Sequence, residues 1–233
     1  MGVDKTNRRP AKFRNRKAKT KNGRQDQRLA KLEKTVFTAL ERKVKDWQNG
    51  TWNVTTTPTV LNNSNILSLE LAEGTSASDR LGQEICLLNQ TVRFNVSIPD
   101  GGDTFNQMRF IICESTDGST PLGLGDILEY GNHVLHSTKM IMCSPYKTKV
   151  AQDNKGYKVH YDKVFELNAY DSRCITAEAK IKYGKNGRKV QYPALTASEQ
   201  PVNHNLHIMM VSDSGSVLHP GVAINIRSRF FDA

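Results

Sequence analysis

No run in this 233-residue chain approaches the roughly 20 consecutive apolar positions that a membrane-spanning helix needs. The N-terminus also lacks an apolar signal core, so secretion is not expected. Cysteine is scarce: Cys86, Cys113, Cys143 and Cys174 stand about 30 residues apart, with no C-x-x-C pair. That spacing fits neither a zinc site nor a dense disulfide framework, and reduced, mostly buried thiols are expected. Asn53, Asn62, Asn89 and Asn95 head N-x-Ser/Thr triplets, which stay unglycosylated without secretion.

Catalytic patterns are missing as well. There is no G-x-S-x-G, no H-E-x-x-H and no G-x-x-x-x-G-K-[ST] phosphate loop. Gly123-Leu124-Gly125 lacks a third glycine and a preceding strand, and reads as a turn before a short helix. The pairs His133/His136 and His204/His207 have H-x-x-H spacing, which on a strand sends the two rings to opposite faces and suits no shared metal. Asp100, Asp103, Asp117 and Asp126 fall near expected loops, where they could ligate calcium between subunits or simply serve turn geometry. The expectation is a protein that is not an enzyme and needs no cofactor.

What the chain does have is charge confined to one end. Residues 1–34 hold 13 Lys/Arg against 3 Asp/Glu, while the remaining 199 residues hold 20 of each. A net +10 tail on a balanced body points to a polyanion partner, and nucleic acid is the commonest one. Residues 1–24 contain almost nothing apolar and are expected to be a disordered basic arm. Arg8, Arg9, Lys12, Arg14, Arg16, Lys17, Lys19, Lys21, Arg24 and Arg28 are the candidate phosphate contacts, able to release counterions without reading sequence. Phe13 is the one aromatic there, so base stacking is a minor contribution.

Over residues 25–47 the apolar residues Leu29, Leu32, Val36, Leu40, Val44 and Trp47 recur at spacings of three and four. This predicts an amphipathic helix, stopped at Gly50. Its narrow stripe suits either packing on its own domain or a seam with copies on neighbouring subunits, formed by Leu29, Leu32, Val36, Leu40 and Val44. Three segments follow: the arm at 1–24, the helix at 25–49 and a body at 50–233.

The body reads as strands. Thr51 to Val60 is rich in Thr and Val, and Ile66 to Leu71 is a short apolar run. Val92, Phe94, Val96 and Ile98 alternate with Arg93, Asn95 and Ser97. Met108, Phe110 and Ile112 follow the turn signal Asp100-Gly101-Gly102. Further strands are expected at 157–167, 174–183, 205–212 and 222–231, with a short helix near 122–130 and a type I′ hairpin at Asn186-Gly187. The fold class is all-β, an antiparallel sandwich of which the jelly roll is one form.

The run Glu73-Gly74-Thr75-Ser76-Ala77-Ser78-Asp79-Arg80-Leu81-Gly82-Gln83-Glu84-Ile85 resembles a segment of small single-jelly-roll viral coat proteins. In the same order, 105–114 resembles the next strand and 121–128 the short helix after it. Gly156 to Lys163, Asn205 to Asp213 and Arg229 to Ala233 resemble later strands. The similarity is to coat proteins of circular Rep-encoding single-stranded DNA viruses and of the satellite tobacco necrosis virus group, over residues 66–233 plus the arm.

It implies an eight-stranded jelly roll, 60 copies in a T=1 icosahedral shell, and arms turned toward a single-stranded genome, with DNA favoured and RNA the alternative. It also implies residence in the virion and, during assembly, in the host nucleus or cytoplasm. A nuclear import receptor is then a further partner for the arm, and a membrane is not. Residues 131–155 and 184–204 are additions to the family pattern, expected in outward loops. The competing reading is a cellular, non-enzymatic nucleic-acid-binding β-sandwich with a basic tail.

Overall fold

A computed structural model of the chain describes residues 25–29, 31–32, 42–115, 121–132, 137–147, 156–184, 186–194, 199–215 and 217–232. The chain divides into two units, Met1–Glu41 and Arg42–Ala233. In the first, residues 25–29 and 31–32 are helical. The second is an antiparallel sandwich. Its strands are β1 (Arg42–Asn53), β2 (Thr59–Leu61), β3 (Glu84–Ser97), β4 (Phe105–Ser115), β5 (Tyr157–Asn168), β6 (Cys174–Lys182), β7 (Arg188–Gln191), β8 (Leu206–Ser212) and β9 (Gly221–Asp232). Two short helices, α1 (Leu124–Ile127) and α2 (Thr138–Met142), lie between β4 and β5.

One sheet runs β1-β9-β3-β6, with β7 also on β3, and the other runs β2-β8-β4-β5. The strands β6 and β7 lie end to end along one edge of β3, opposite Asn89–Ser97 and Glu84–Leu87 respectively. Counted as one interrupted strand, they make the sandwich eight-stranded. Among the connections between the remaining strands, only β4–β5 stays within a sheet; the others cross the sandwich. That is the wrapping of a jelly roll, as the sequence resemblance implied.

Alternation builds the interior. Val92, Phe94 and Val96 of β3 face Met108, Phe110 and Ile112 of β4 within one buried cluster. The rings of Phe94 and Phe110 stack at 3.9 Å and 10°, and Phe165 and Tyr161 meet Phe94 edge-on. Among the described residues, the space between the sheets is filled with side chains.

The far face of the β2-β8-β4-β5 sheet is also buried. Ile111, Cys113, Met209 and Val211 pack under Leu124, Ile127 and Ile141 from α1 and α2. Burial on both sides explains the unbroken apolar runs of β4 and β8. Arg109 fastens this cover: its guanidinium donates to both carboxylate oxygens of Asp162 (3.0 and 2.7 Å) and to the carbonyls of Ile141 (2.7 Å) and Ser144 (2.9 Å). The β1-β9-β3-β6 sheet has no such cover among the described residues, and most of its outer positions are polar.

Several expectations need correction. The helix expected over 25–47 does not reach Val44 or Trp47, because from Arg42 the chain is β1, paired with β9 from Arg42↔Phe231 to Asn53↔Gly221. The jelly-roll body thus starts at 42, not 50. Pairing with a full-length partner strand outweighs the weak helical preference of this polar stretch. Lys43, expected on a solvated helix face, is buried, with its ammonium 2.8 Å from Asp232 and donating to the Asp79 carbonyl.

The Asn186-Gly187 turn does not make a hairpin, since β6 and β7 pair with β3 and not with each other. The chain instead bulges out between two collinear segments. Ile66 to Leu71 forms no strand; it lies in the long β2–β3 connection. Of the four thiols, which are all free, only Cys113 is buried, and burial pushes it up to about 12; Cys143 and Cys174 are exposed.

Candidate functional site

Most of the phosphate-binding candidates, Arg8, Arg9, Lys12, Arg14, Arg16, Lys17, Lys19, Lys21 and Arg24, lie outside the described residues, as do Val36 and Leu40 of the expected seam. Arg28, Leu29 and Leu32 are described. All three are exposed on the helical turn, the leucines at 57% and 62%. Val44 belongs to the other unit, on the outer face of β1, and is exposed there.

The remaining metal and acid candidates do not converge. His133, His136 and Asp117 lie outside the described residues. His204 and His207 part company as their spacing predicts. His207 Nε2 accepts from the Leu122 amide at 3.0 Å, whereas His204 turns to Gln90. Asp100 pairs with Arg173, Asp103 accepts from Ser214 Oγ at 3.0 Å, and Asp126 accepts from the Gly123 amide at 2.8 Å. These three carboxylates therefore tie down loops and a helix start. Among the described residues no three His, Cys, Asp or Glu side chains are grouped to hold a metal.

One buried polar cluster joins the sheets. Glu114 of β4 meets His160 Nε2 of β5 at 2.9 Å, His204 Nδ1 at 3.4 Å and the guanidinium of Arg188 on β7. His204 Nε2 lies 3.3 Å from Gln90 Oε1, which also accepts from Tyr183 Oη at 2.7 Å; Gln90 Nε2 donates to Ser228. Burial first, then the charge of Lys158, lowers His160 to about 4. Burial, then Arg188 and His160, lowers His204 to about 3. The group links the two sheets deep in the protein through the Glu114–Arg188 and His204–Gln90 contacts.

The uncovered sheet face offers a different arrangement. Three rows cross it: Gln48–Asn225–Arg93–Glu178, Asp46–Arg227–Thr91–Lys180 and Val44–Arg229–Asn89–Lys182. Arg227 and Arg229 stand in one column on β9, and Lys180 and Lys182 in another on β6. Polar Thr91 and Asn89 lie between them on β3. Five cations thus meet two acids. Asp46 takes two hydrogen bonds from Arg227, both 2.7 Å, which hold it below the usual carboxylate range. Glu178 is lowered by Lys180 and then Arg93. Two adjoining depressions of about 250 and 280 Å³ share Arg93 and Asn225.

The signal for this face was present in the sequence as alternation: Arg227-x-Arg229, Lys180-x-Lys182 and Thr91-x-Arg93. What sequence reasoning missed was that β9, β3 and β6 are neighbours, which puts these residues on one surface.

No protein-family model matches the chain, and no curated protein matches it. Solved structures do show some likeness. The desmodium yellow mottle tymovirus structure matches at 6% identity and a TM-score of 0.37, covering 83% of this chain and 88% of that one. An empty head of turnip yellow mosaic virus matches at 8% and 0.37, covering 83% and 82%. Sacbrood virus of honeybee matches at 9% and 0.33, covering 83% and 70%.

Proposed function

We propose that this chain is a viral coat protein that self-assembles into a small icosahedral shell and packages a single-stranded genome through its basic N-terminal arm. The observation that carries the reading is the partition of charge: +10 in residues 1–34 and zero in the rest, with the rest folded as a jelly roll. Copies packed side by side in a shell must not repel one another, which a balanced body allows; a polyanion inside must be neutralised, which the arm does.

In a T=1 shell of 60 copies the arms would supply about 600 positive charges, enough for about 600 phosphates at one per nucleotide. A genome of one to a few kilobases would then be neutralised in part, with small cations completing it. DNA is the favoured genome and RNA the alternative. For DNA, the Arg8 to Lys21 run doubles as a nuclear import signal. The exposure of Leu29 and Leu32 supports a role in joining subunits, with Val36 and Leu40 continuing the same stripe and Val44 excluded from it. Calcium between subunits is not part of the proposal, given the loop roles of Asp100, Asp103 and Asp126.

Electron microscopy of the purified protein tests this. Closed particles of uniform diameter holding nuclease-resistant nucleic acid are expected. A monomer or small oligomer that binds nucleic acid without forming particles would establish the cellular β-sandwich reading instead.

A further inference from the structure

The positive charge on the uncovered sheet face exceeds the acidic charge beside it among the described residues. Five cations against two acids leave three positive charges on a strip that crosses four strands, while residues 35–233 sum to zero. The strip is fixed in place, since each residue stands on a paired strand. Neighbouring strands lie about 4.8 Å apart, so the Arg227/Arg229 and Lys180/Lys182 columns are separated by roughly 10 Å across β3. Along each column the cations repeat every second residue, about 6.7 Å.

We infer that this strip is a second nucleic-acid contact, a track that holds the phosphate backbone of a single strand running along β3. The inference rests on the reading of the chain as a nucleic-acid-packaging protein and adds a structured site to the arm. The two cation columns flank a floor of Thr91 and Asn89, whose hydroxyl and amide suit sugar and phosphate oxygens. Arg229 is already aimed across the strip, donating to Asn89 Oδ1 at 3.2 Å. The strip is a face of paired strands with two depressions, and among the described residues no helix or ribbon stands out from it to enter a duplex groove. No aromatic side chain stands among its three rows, so contact is to the backbone, without base stacking and without sequence preference.

The test uses the full chain and a labelled oligo(dT) of about 20 nucleotides, comfortably longer than a typical single-strand site. In the triple variant Lys180→Gln, Lys182→Gln, Arg229→Gln, the slope of log K against log salt should fall by about 2, at roughly 0.7 per phosphate contact on a single strand. In the unaltered chain, the oligonucleotide should protect Lys180 and Lys182 from acetylation while Lys163, on β5 of the other sheet, stays reactive. This second measurement keeps the proposal testable should the triple variant fold poorly. An unchanged slope together with equal acetylation of Lys180 and Lys182 with and without oligonucleotide overturns the track. Equal protection by a duplex of the same length overturns its assignment to a single strand. Particle formation is scored separately by microscopy, so loss of the track leaves the coat-protein reading standing, and the reverse also holds.

Discussion

At the scale of single residues, the most telling side chains are polar ones in dry places. Arg80 is fully buried, yet its guanidinium donates to the carbonyls of Leu71 (3.3 Å) and Gly82 (2.6 Å) and lies 4.9 Å over the Tyr192 ring. It staples the long β2–β3 connection to Tyr192, just after β7. Arg80→Ala leaves those carbonyls without donors and opens a void, so a loss of about 3 kcal/mol or more is expected in urea unfolding. His204 makes a second prediction. Its folded pKa, about 3, lies below its ordinary 6.5, so the unfolded chain binds the proton more readily. Its stabilising contribution is complete above pH 6.5 and is lost as the pH falls toward 3, amounting to about 2 kcal/mol by roughly pH 5. Urea midpoints across this range should drop steeply, and His204→Gln should flatten the drop.

At the scale of elements, β1 and the β6–β7 break show where local pattern and tertiary pairing part. Trp47 fits the helical stripe by spacing, but in β1 it packs on the core together with Trp52, held by the register Trp47↔Ile226 and Trp52↔Val222. A three-residue spacing cannot distinguish these cases when the partner strand is almost 180 residues away. The β6–β7 bulge turns on Gly187, at φ +74°. A Cβ there would lie 2.6 Å from Cys86 Sγ and 2.8 Å from the Leu87 carbonyl oxygen. Gly187→Ala should cost about 1–2 kcal/mol from the left-handed backbone alone, and more from the contacts, read as a fall in the thermal midpoint. An unchanged midpoint would mean that the bulge relaxes freely.

At the scale of the whole molecule, charge and fold divide the labour. The unit from Arg42 to Ala233 has its own filled core and eight-stranded wrapping, so removing residues 1–24 should leave its thermal midpoint unchanged. The same deletion should abolish encapsidation, measured as nucleic acid recovered from nuclease-treated particles. Full-length genome packaged by the truncated protein at physiological salt would refute the arm's role. For the proposed seam, Leu32→Asp with Leu40→Asp should reduce assembly more than it reduces the stability of the monomer, and equal losses would favour a helix packed on its own domain.

The sequence by itself determined the all-β class, most strand positions and the charge partition, because alternation and net charge are local properties that survive in one dimension. Strands expected at 157–167, 174–183, 205–212 and 222–231 stand at 157–168, 174–182, 206–212 and 221–232. Only the tertiary structure decided what depends on distant pairing. It drew Arg42–Asn53 into a strand, ran β6 and β7 collinearly along β3, buried Arg80 and Glu114, and set Arg227, Arg229, Lys180 and Lys182 on either side of β3. The physical reason is the same in each case: a side chain's neighbours across a sheet are fixed by hydrogen-bond register between segments far apart in the chain, which no local period encodes.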